Sequence, residues 1–320
     1  MKLKTLFFSL GLVICSLGIS AQEEPIGWFN FQWEDAILDG KKVEKSAMIV
    51  PFEIEGIPHK FNAQFDLGAV STILYGNSIA PYLVKYKEIF SRIDTVNYCR
   101  LEGVRCPYFK GLNLNLSGVS YPNVDMAWFK GYGDTLTVDS IFTSTEKHIG
   151  TLAADLCKGG ILAIDFPGQR ICVLDTLPSA WAGRVNYVPM EYLKEYNWIF
   201  LPLKINGKEE KVLFDTGSSI FPLLTSPKKV GQIADTSHCV DSLAISSWGE
   251  ISTVYSYQPK VKIEFDNMDL SSHQVFAGNQ VSDEMLEGAG FWGIVGNRYF
   301  LNQTVVIDYK NNKFGILNLK

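Results

Sequence analysis

Two short stretches of the sequence put a carboxylate in the same local setting. In Phe65-Asp66-Leu67-Gly68-Ala69-Val70 and in Phe214-Asp215-Thr216-Gly217-Ser218-Ser219 an Asp closes a strand-like run and a Gly follows two positions later. The Gly lets the backbone turn tightly and bring N–H groups toward the carboxylate. Two carboxylates a few ångströms apart cannot both ionise cheaply, so one keeps a proton while the other carries charge. Such a pair can activate a water and protonate a carbonyl together, with no covalent intermediate and no metal or organic cofactor. Asp-Thr-Gly alone is a weak signal, expected by accident in about one chain in twenty-five of this length, so its weight depends on what surrounds it.

The surroundings are strands. "MIVPFEIEG", "HKFNAQFD", "GLNLNL", "ILAIDF", "RICVL", "IFLPLKING", "KVLFD", "KVKIEF" and "TVVIDY" are short runs of β-branched and aromatic residues punctuated by Gly, Asn and Pro. Alternation in "KFNAQFD" puts Phe61, Ala63 and Phe65 on one face and Asn62 and Gln64 on the other, as a half-buried strand requires. Helical stretches look few: "AADLCKG" and "PMEYLKEY". The strands also repeat in order. Pro51 matches Pro202, Asp66 matches Asp215, Gly150 of "HIGTLAADL" matches Gly293 of "FWGIVGNRYF", and Asp165 of "AIDFPGQRICVL" matches Asp308 of "VIDYKNNKFGIL"; the spacing drifts only from 151 to 143 residues. The chain is therefore expected to be all-β, with two similar β-barrel-like lobes at 47–175 and 199–320. A linker at 176–198 joins them, and an N-terminal segment at 22–46 adds an edge strand. Duplicated units pack naturally about a pseudo-twofold axis, because one self-complementary surface serves both.

The order strand, Asp-x-Gly, small residues, strand, and later an apolar pair beside Gly, all present twice, resembles the aspartic peptidases. The likeness is to the bilobal pepsin-like enzymes in architecture and to the retropepsin-like ones in the compactness of each lobe. It implies an acid-protease fold with Asp66 and Asp215 as the catalytic pair and Gly68, Thr216, Gly217 and Ser218 supporting the loops. Thr151-Leu152 beside Gly150 and Ile294-Val295 beside Gly293 and Gly296 resemble the strands that cross behind and buttress those loops. In that family the Thr of each loop hydrogen-bonds to the other loop, and the Ser or Thr after Gly bonds its own Asp. Thr216 and Ser218 can do both; Leu67 and Ala69 can do neither. Either the loss of half the brace, about 0.5 to 1.5 kcal/mol per hydrogen bond, is tolerated in a covalently joined pair of lobes, with Asp215 the anion and Asp66 the proton holder, or the first lobe has been released from catalysis. The first reading is an endopeptidase taking an extended polypeptide; the second is an inactive peptide- or glycan-binding protein on the same scaffold. The resemblance also implies a hairpin over each half of the cleft. "NYCRLEGVRC" is the candidate in the first lobe, with Tyr98 or Arg100 reaching the substrate, and "ISSWGEIS" is its counterpart, with Trp248 at the tip.

The remaining features set the context. Residues 1–21 carry Lys2 and Lys4, an apolar run from Leu6 to Cys15 and small residues before Gln22, the layout of a secretory signal cleaved after Ala21 or Ser20. The run is shorter than the roughly 20 residues a spanning helix needs, and Ile14 is bulky where processing for a lipid anchor on Cys15 resembles a small residue. A periplasmic, cell-surface or secreted monomer is expected. The net charge of −5 argues against a nucleic-acid partner. Export permits disulfides, and Cys99–Cys106 and Cys157–Cys172 are the pairings proximity suggests, leaving Cys239 over. His59, His148, His238 and His273 are isolated, with no metal-ligand spacing. Asp165 and Asp308 stand beside hairpin turns and read as structural.

Overall fold

The computed structural model describes residues 25, 27–157 and 159–318, so the signal and lipid-anchor readings on residues 1–21 lie outside the described residues. The first part of the chain runs β1 (Phe29–Asn30), β2 (Gln32–Leu38), β3 (Lys41–Ile54), β4 (Ile57–Phe65), β5 (Ile73–Tyr75), α1 (Gly76–Lys85), β6 (Ile93–Leu101), β7 (Val104–Leu116), β8 (Val119–Phe129), β9 (Lys147–Leu152), β10 (Ile161–Asp165) and β11 (Arg170–Leu174). After it come β12 (Val185–Pro189), β13 (Glu191–Leu193), β14 (Trp198–Ile205), β15 (Lys208–Phe214), β16 (Leu223–Thr225), α2 (Pro227–Ile233), β17 (Asp241–Ser247) and β18 (Glu250–Tyr257). The last elements are β19 (Ile263–Phe265), β20 (Met268–Asp269), β21 (Val275–Gly278), α3 (Asp283–Ala289), β22 (Gly293–Val295), β23 (Thr304–Asp308) and β24 (Lys313–Leu317). The chain is thus predominantly β, and every run singled out above as a strand is one. No helix among the described residues is long and apolar enough to cross a membrane.

Strand pairing repeats along with the sequence. β3 and β4 form an antiparallel pair, as do β14 and β15. β4 then pairs in parallel with β9, Phe65 opposite Leu152, and β15 pairs in parallel with β22, Phe214 opposite Val295. β5 with β8 and β16 with β21 are both parallel, and β5 with β9 and β16 with β22 both antiparallel. The first set belongs to an eight-stranded sheet that also pairs β3 with β7; the second belongs to a ten-stranded sheet. A third sheet, ordered β1-β11-β10-β23-β24-β12, takes strands from both repeats and from the connection.

The largest of four apolar clusters among the described residues draws residues from all three sheets. Phe61, Ala63 and Phe65 are buried in it as the alternation requires, together with Phe214, Phe300 and Phe314. The Phe214 ring lies 5.5 Å from Phe300 and 5.3 Å from Phe314, edge to face, the geometry aromatic quadrupoles favour. Edge strands β1 and β2 come from the N-terminal segment, on two different sheets.

Two local readings are corrected. Within "PMEYLKEY" residues 191–193 form β13 rather than a helix, since pairing with β14 supplies the backbone partners that a lone eight-residue helix would lack. "AADLCKG" makes only a 3₁₀ turn at Ala154–Cys157. The α-helices lie elsewhere, and two start with a Ser side chain accepting a backbone N–H: Ser226 from Lys229 and Ser282 from Met285. The two expected disulfides are also absent: no disulfide joins the cysteines among the described residues. Cys157 faces the main core, whereas Cys172 lies on the other face of β11, under Trp181. Cys99 and Cys106 do sit opposite one another across the β6–β7 hairpin, as thiols.

Candidate active site

Asp66 and Asp215 are the residues immediately beyond β4 and β15, and the crossing strands hold them there. Asp66 N–H donates to Leu152 O of β9 and Asp215 N–H to Val295 O of β22, both at 2.9 Å. Each loop then turns on its own carboxylate. Gly68 N–H and Ala69 N–H donate to Asp66 Oδ1 at 2.8 and 3.1 Å; Gly217 N–H donates to Asp215 Oδ1 at 2.8 Å and Ser218 Oγ to Asp215 Oδ2 at 2.7 Å.

The two loops face one another. A Cβ placed on Gly68 would lie 2.4 to 2.8 Å from the Asp215 carboxylate, and one on Gly217 would lie 2.5 to 2.6 Å from that of Asp66. Each carboxylate therefore rests on the glycine of the opposite loop, in space no other residue leaves open. Burial, then the charge and hydrogen-bonding capacity of the neighbouring Asp215, hold the Asp66 carboxyl well above the usual carboxylate range, against the N–H groups of Gly68 and Ala69. Both side chains keep partial exposure.

The brace between the loops is one-sided. Thr216 Oγ1, fully buried, accepts from Leu67 N–H at 2.9 Å and donates to Phe65 O at 3.0 Å. Leu67 returns nothing to the second loop; its side chain is part of the main core, which is why an apolar residue occupies the place. Other groups tie the loops down. Trp198 Nε1–H donates to Gly68 O at 2.8 Å and Asn197 Nδ2 to Val70 O at 2.7 Å. Asp155 accepts from Ser71 Oγ at 2.9 Å and from Thr72 N–H at 2.8 Å; burial nonetheless raises its pKa. Asn297 Nδ2 donates to Thr216 O and Ser219 Oγ at 3.1 and 3.0 Å. Sequence reasoning missed these four. A signal existed for Asp155 and Asn297, since each is a polar residue just past the apolar pair that crosses behind a loop.

Tyr75 Oη and Thr151 Oγ1 lie 2.6 Å apart, and the Tyr132 ring stands edge-on to Tyr75 at 4.8 Å. Burial is the main reason both phenols titrate high, with a smaller contribution from the Asp66 charge. Trp248 is at the turn between β17 and β18, and its ring is 5.6 Å from that of Tyr132. Tyr98 and Arg100 are on β6 of the β6–β7 hairpin and line a cavity of about 1000 Å³ with Val70, Ser71, Tyr196 and Asn197, a cavity lined by neither Asp66 nor Asp215. The Arg105 guanidinium covers the Tyr98 ring at 4.0 Å. No protein-family model matches this chain, and no curated protein matches it in sequence.

Proposed function

We propose that this protein is an aspartic endopeptidase of acid-protease architecture, its two repeats being lobes related by a pseudo-twofold axis and its catalytic pair being Asp66 and Asp215. The observation that carries the reading is the mutual seating of the two carboxylates, each against the other loop's glycine, with the Asp66 carboxyl pushed up by burial and by its neighbour. Asp66, the acid pushed up, is taken as the proton holder; both of its backbone donors fall on Oδ1, whereas Asp215 accepts one hydrogen bond on each oxygen. In this mechanism a water between the carboxylates gives a proton to Asp215 and attacks the peptide carbonyl, whose oxygen takes the proton of Asp66. The titration belongs to the pair. Gly68, Thr216, Gly217 and Ser218 act as positioning residues. An extended polypeptide fits the site, its backbone pairing with strand edges and its side chains alternating between walls.

The test is a peptide-library digest by the wild type beside Asp66→Asn and Asp215→Asn. Cleavage by the wild type alone is the expected result. Cleavage that survives in either variant overturns the assignment, and binding of peptide without cleavage from about pH 3 to pH 8 turns the reading to a non-catalytic binder, the outcome that Leu67 and Ala69 in the first loop would then explain.

A further inference from the structure

The β17–β18 hairpin turns through Trp248 and Gly249, at φ +49° and +92°. Two successive left-handed residues make the tight turn whose twist matches that of the strands, and Asn, Asp or Gly is selected at the first place because other side chains crowd the backbone there. Of the eleven non-glycine residues with positive φ among the described residues, ten are polar or charged; Trp248 is the exception. The corresponding turn of the first repeat, between β6 and β7, uses Glu102 and Gly103. Turn chemistry therefore does not account for an indole at this tip, and an observed outlier of this kind points to a use.

The indole crosses to the other repeat. It packs in a cluster of first-repeat residues, Val70, Ile73, Tyr75, Leu101, Phe129 and Tyr132, with ring separations of 5.6 Å to Tyr132 and 6.3 Å to Phe129. Gly249, itself exposed, stays beside it, the site of its missing Cβ being 3.9 Å from Tyr132 Cε2. This pocket adjoins the Asp66 loop: Val70 is four residues past Asp66, and Tyr75 is bonded to Thr151, whose strand carries the anchor for Asp66 N–H.

We propose that the Trp248 indole is a stand-in for a substrate side chain, filling in the free protein the apolar pocket formed by Val70, Tyr75, Leu101, Phe129 and Tyr132, and that the protein selects polypeptides carrying a large aromatic side chain able to displace it. The inference rests on the cleft between Asp66 and Asp215 being the peptide site. Displacement is an exchange. An incoming Phe, Tyr or Trp restores to the pocket the apolar contact that the indole gives up, whereas Ala or Ser leaves it underfilled. Apparent affinity is lowered, for every peptide that needs the indole out, by the fraction of molecules in which the pocket is closed, and a side chain of comparable size regains the apolar contact given up.

Trp248→Asn separates the plug from the hairpin, because Asn-Gly is the sequence that this turn prefers, so the strands stay paired. The probes are two nine-residue peptides, identical but for Phe or Ala before a central reduced amide (CH₂–NH) that cannot be hydrolysed, with binding measured by calorimetry. The wild type is expected to bind the Phe peptide at least tenfold more tightly than the Ala peptide. Trp248→Asn is expected to bind both peptides about tenfold more tightly than the wild type does, with the Phe-to-Ala ratio kept. In protein labelled with 5-fluorotryptophan, the ¹⁹F resonance missing from Trp248→Asn should move when the Phe peptide binds. Affinities within twofold of wild type in the variant, a Trp248 resonance unmoved by bound peptide, or no binding of either peptide to either protein overturns the proposal. If the predicted affinities are found but no ordinary peptide is cut, the plug stands and the hydrolytic reading falls. If peptides are cut by wild type and variant at the same kcat/KM, the reverse holds.

Discussion

Replacing Thr216 by Val tests how much the one-sided brace contributes. The two side chains are nearly isosteric, so the change removes a hydroxyl while leaving the methyl packing in place. That hydroxyl accepts from Leu67 N–H and donates to Phe65 O, both inside the protein. Without it a buried donor and a buried acceptor lose their partners, and each such orphan costs about 1 to 2 kcal/mol. The sum, about 2 to 4 kcal/mol, corresponds to a fall in Tm of about 4 to 8 °C at roughly 2 °C per kcal/mol for a chain of this size. Thr216→Ser keeps both hydrogen bonds and loses only a methyl, which limits its effect to about 1 kcal/mol. The measurement is urea unfolding of the three proteins by circular dichroism, with m-values compared to confirm that the same surface is exposed. A Val variant within about 0.5 kcal/mol of wild type, or a Ser variant as damaged as the Val variant, refutes the claim that the hydroxyl is the tie between the loops.

Three further outcomes follow from the same geometry. Gly217→Ala sets a methyl 2.5 to 2.6 Å from the Asp66 carboxylate, so the pair is forced apart and cleavage should fall by about 100-fold or more; turnover within fivefold of wild type would count against the mutual seating. Because the folded state raises the pKa of Asp66, folded protein binds more protons than unfolded protein between about pH 4 and that raised value, and stability declines as pH climbs through the window. Asp66→Asn should flatten the decline in urea midpoints, and profiles that run parallel would dismiss it. Trp198→Phe keeps the ring but removes the Nε1–H donor to Gly68 O, with an expected loss of about 1 kcal/mol in unfolding free energy and a lower kcat at little-changed KM; an effect confined to KM would place Trp198 against substrate instead.

The parts of this molecule that could be read in the sequence were those fixed by local periodicity or by recurrence. Phe61, Ala63 and Phe65 announce a half-buried strand by alternation alone, and the paired Asp-x-Gly stretches reveal their correspondence by order and spacing. What escaped depends on contacts between distant segments. Glu191, Tyr192 and Leu193 have a helical local pattern, but β14 offers a full set of backbone partners, and tertiary pairing overrides weak propensity. Cys157 and Cys172 are near in sequence yet face opposite sides of β11, a distinction that requires knowing which face is covered by what. Trp198 and Asn197 reach the first loop from the beginning of β14, about 130 residues away along the chain, and nothing in their immediate neighbours marks them. Leu67 is instructive in the other direction. It departs from the Thr of the second loop, and its side chain lies in the core while Thr216 reaches across the gap.

The sheet ordered β1-β11-β10-β23-β24-β12 has a bearing on biosynthesis. β10 at residues 161–165 has β11 on one side and waits for β23 at residues 304–308 on the other. While the polypeptide is still emerging from the ribosome, that edge has no mate, and a bare edge is a template for unwanted pairing. Native closure must then await strands made last, and contacts so remote in sequence form slowly. The nascent protein consequently carries an open edge at β10 for much of its synthesis, so its yield should depend on chaperones that mask β10 until β23 arrives.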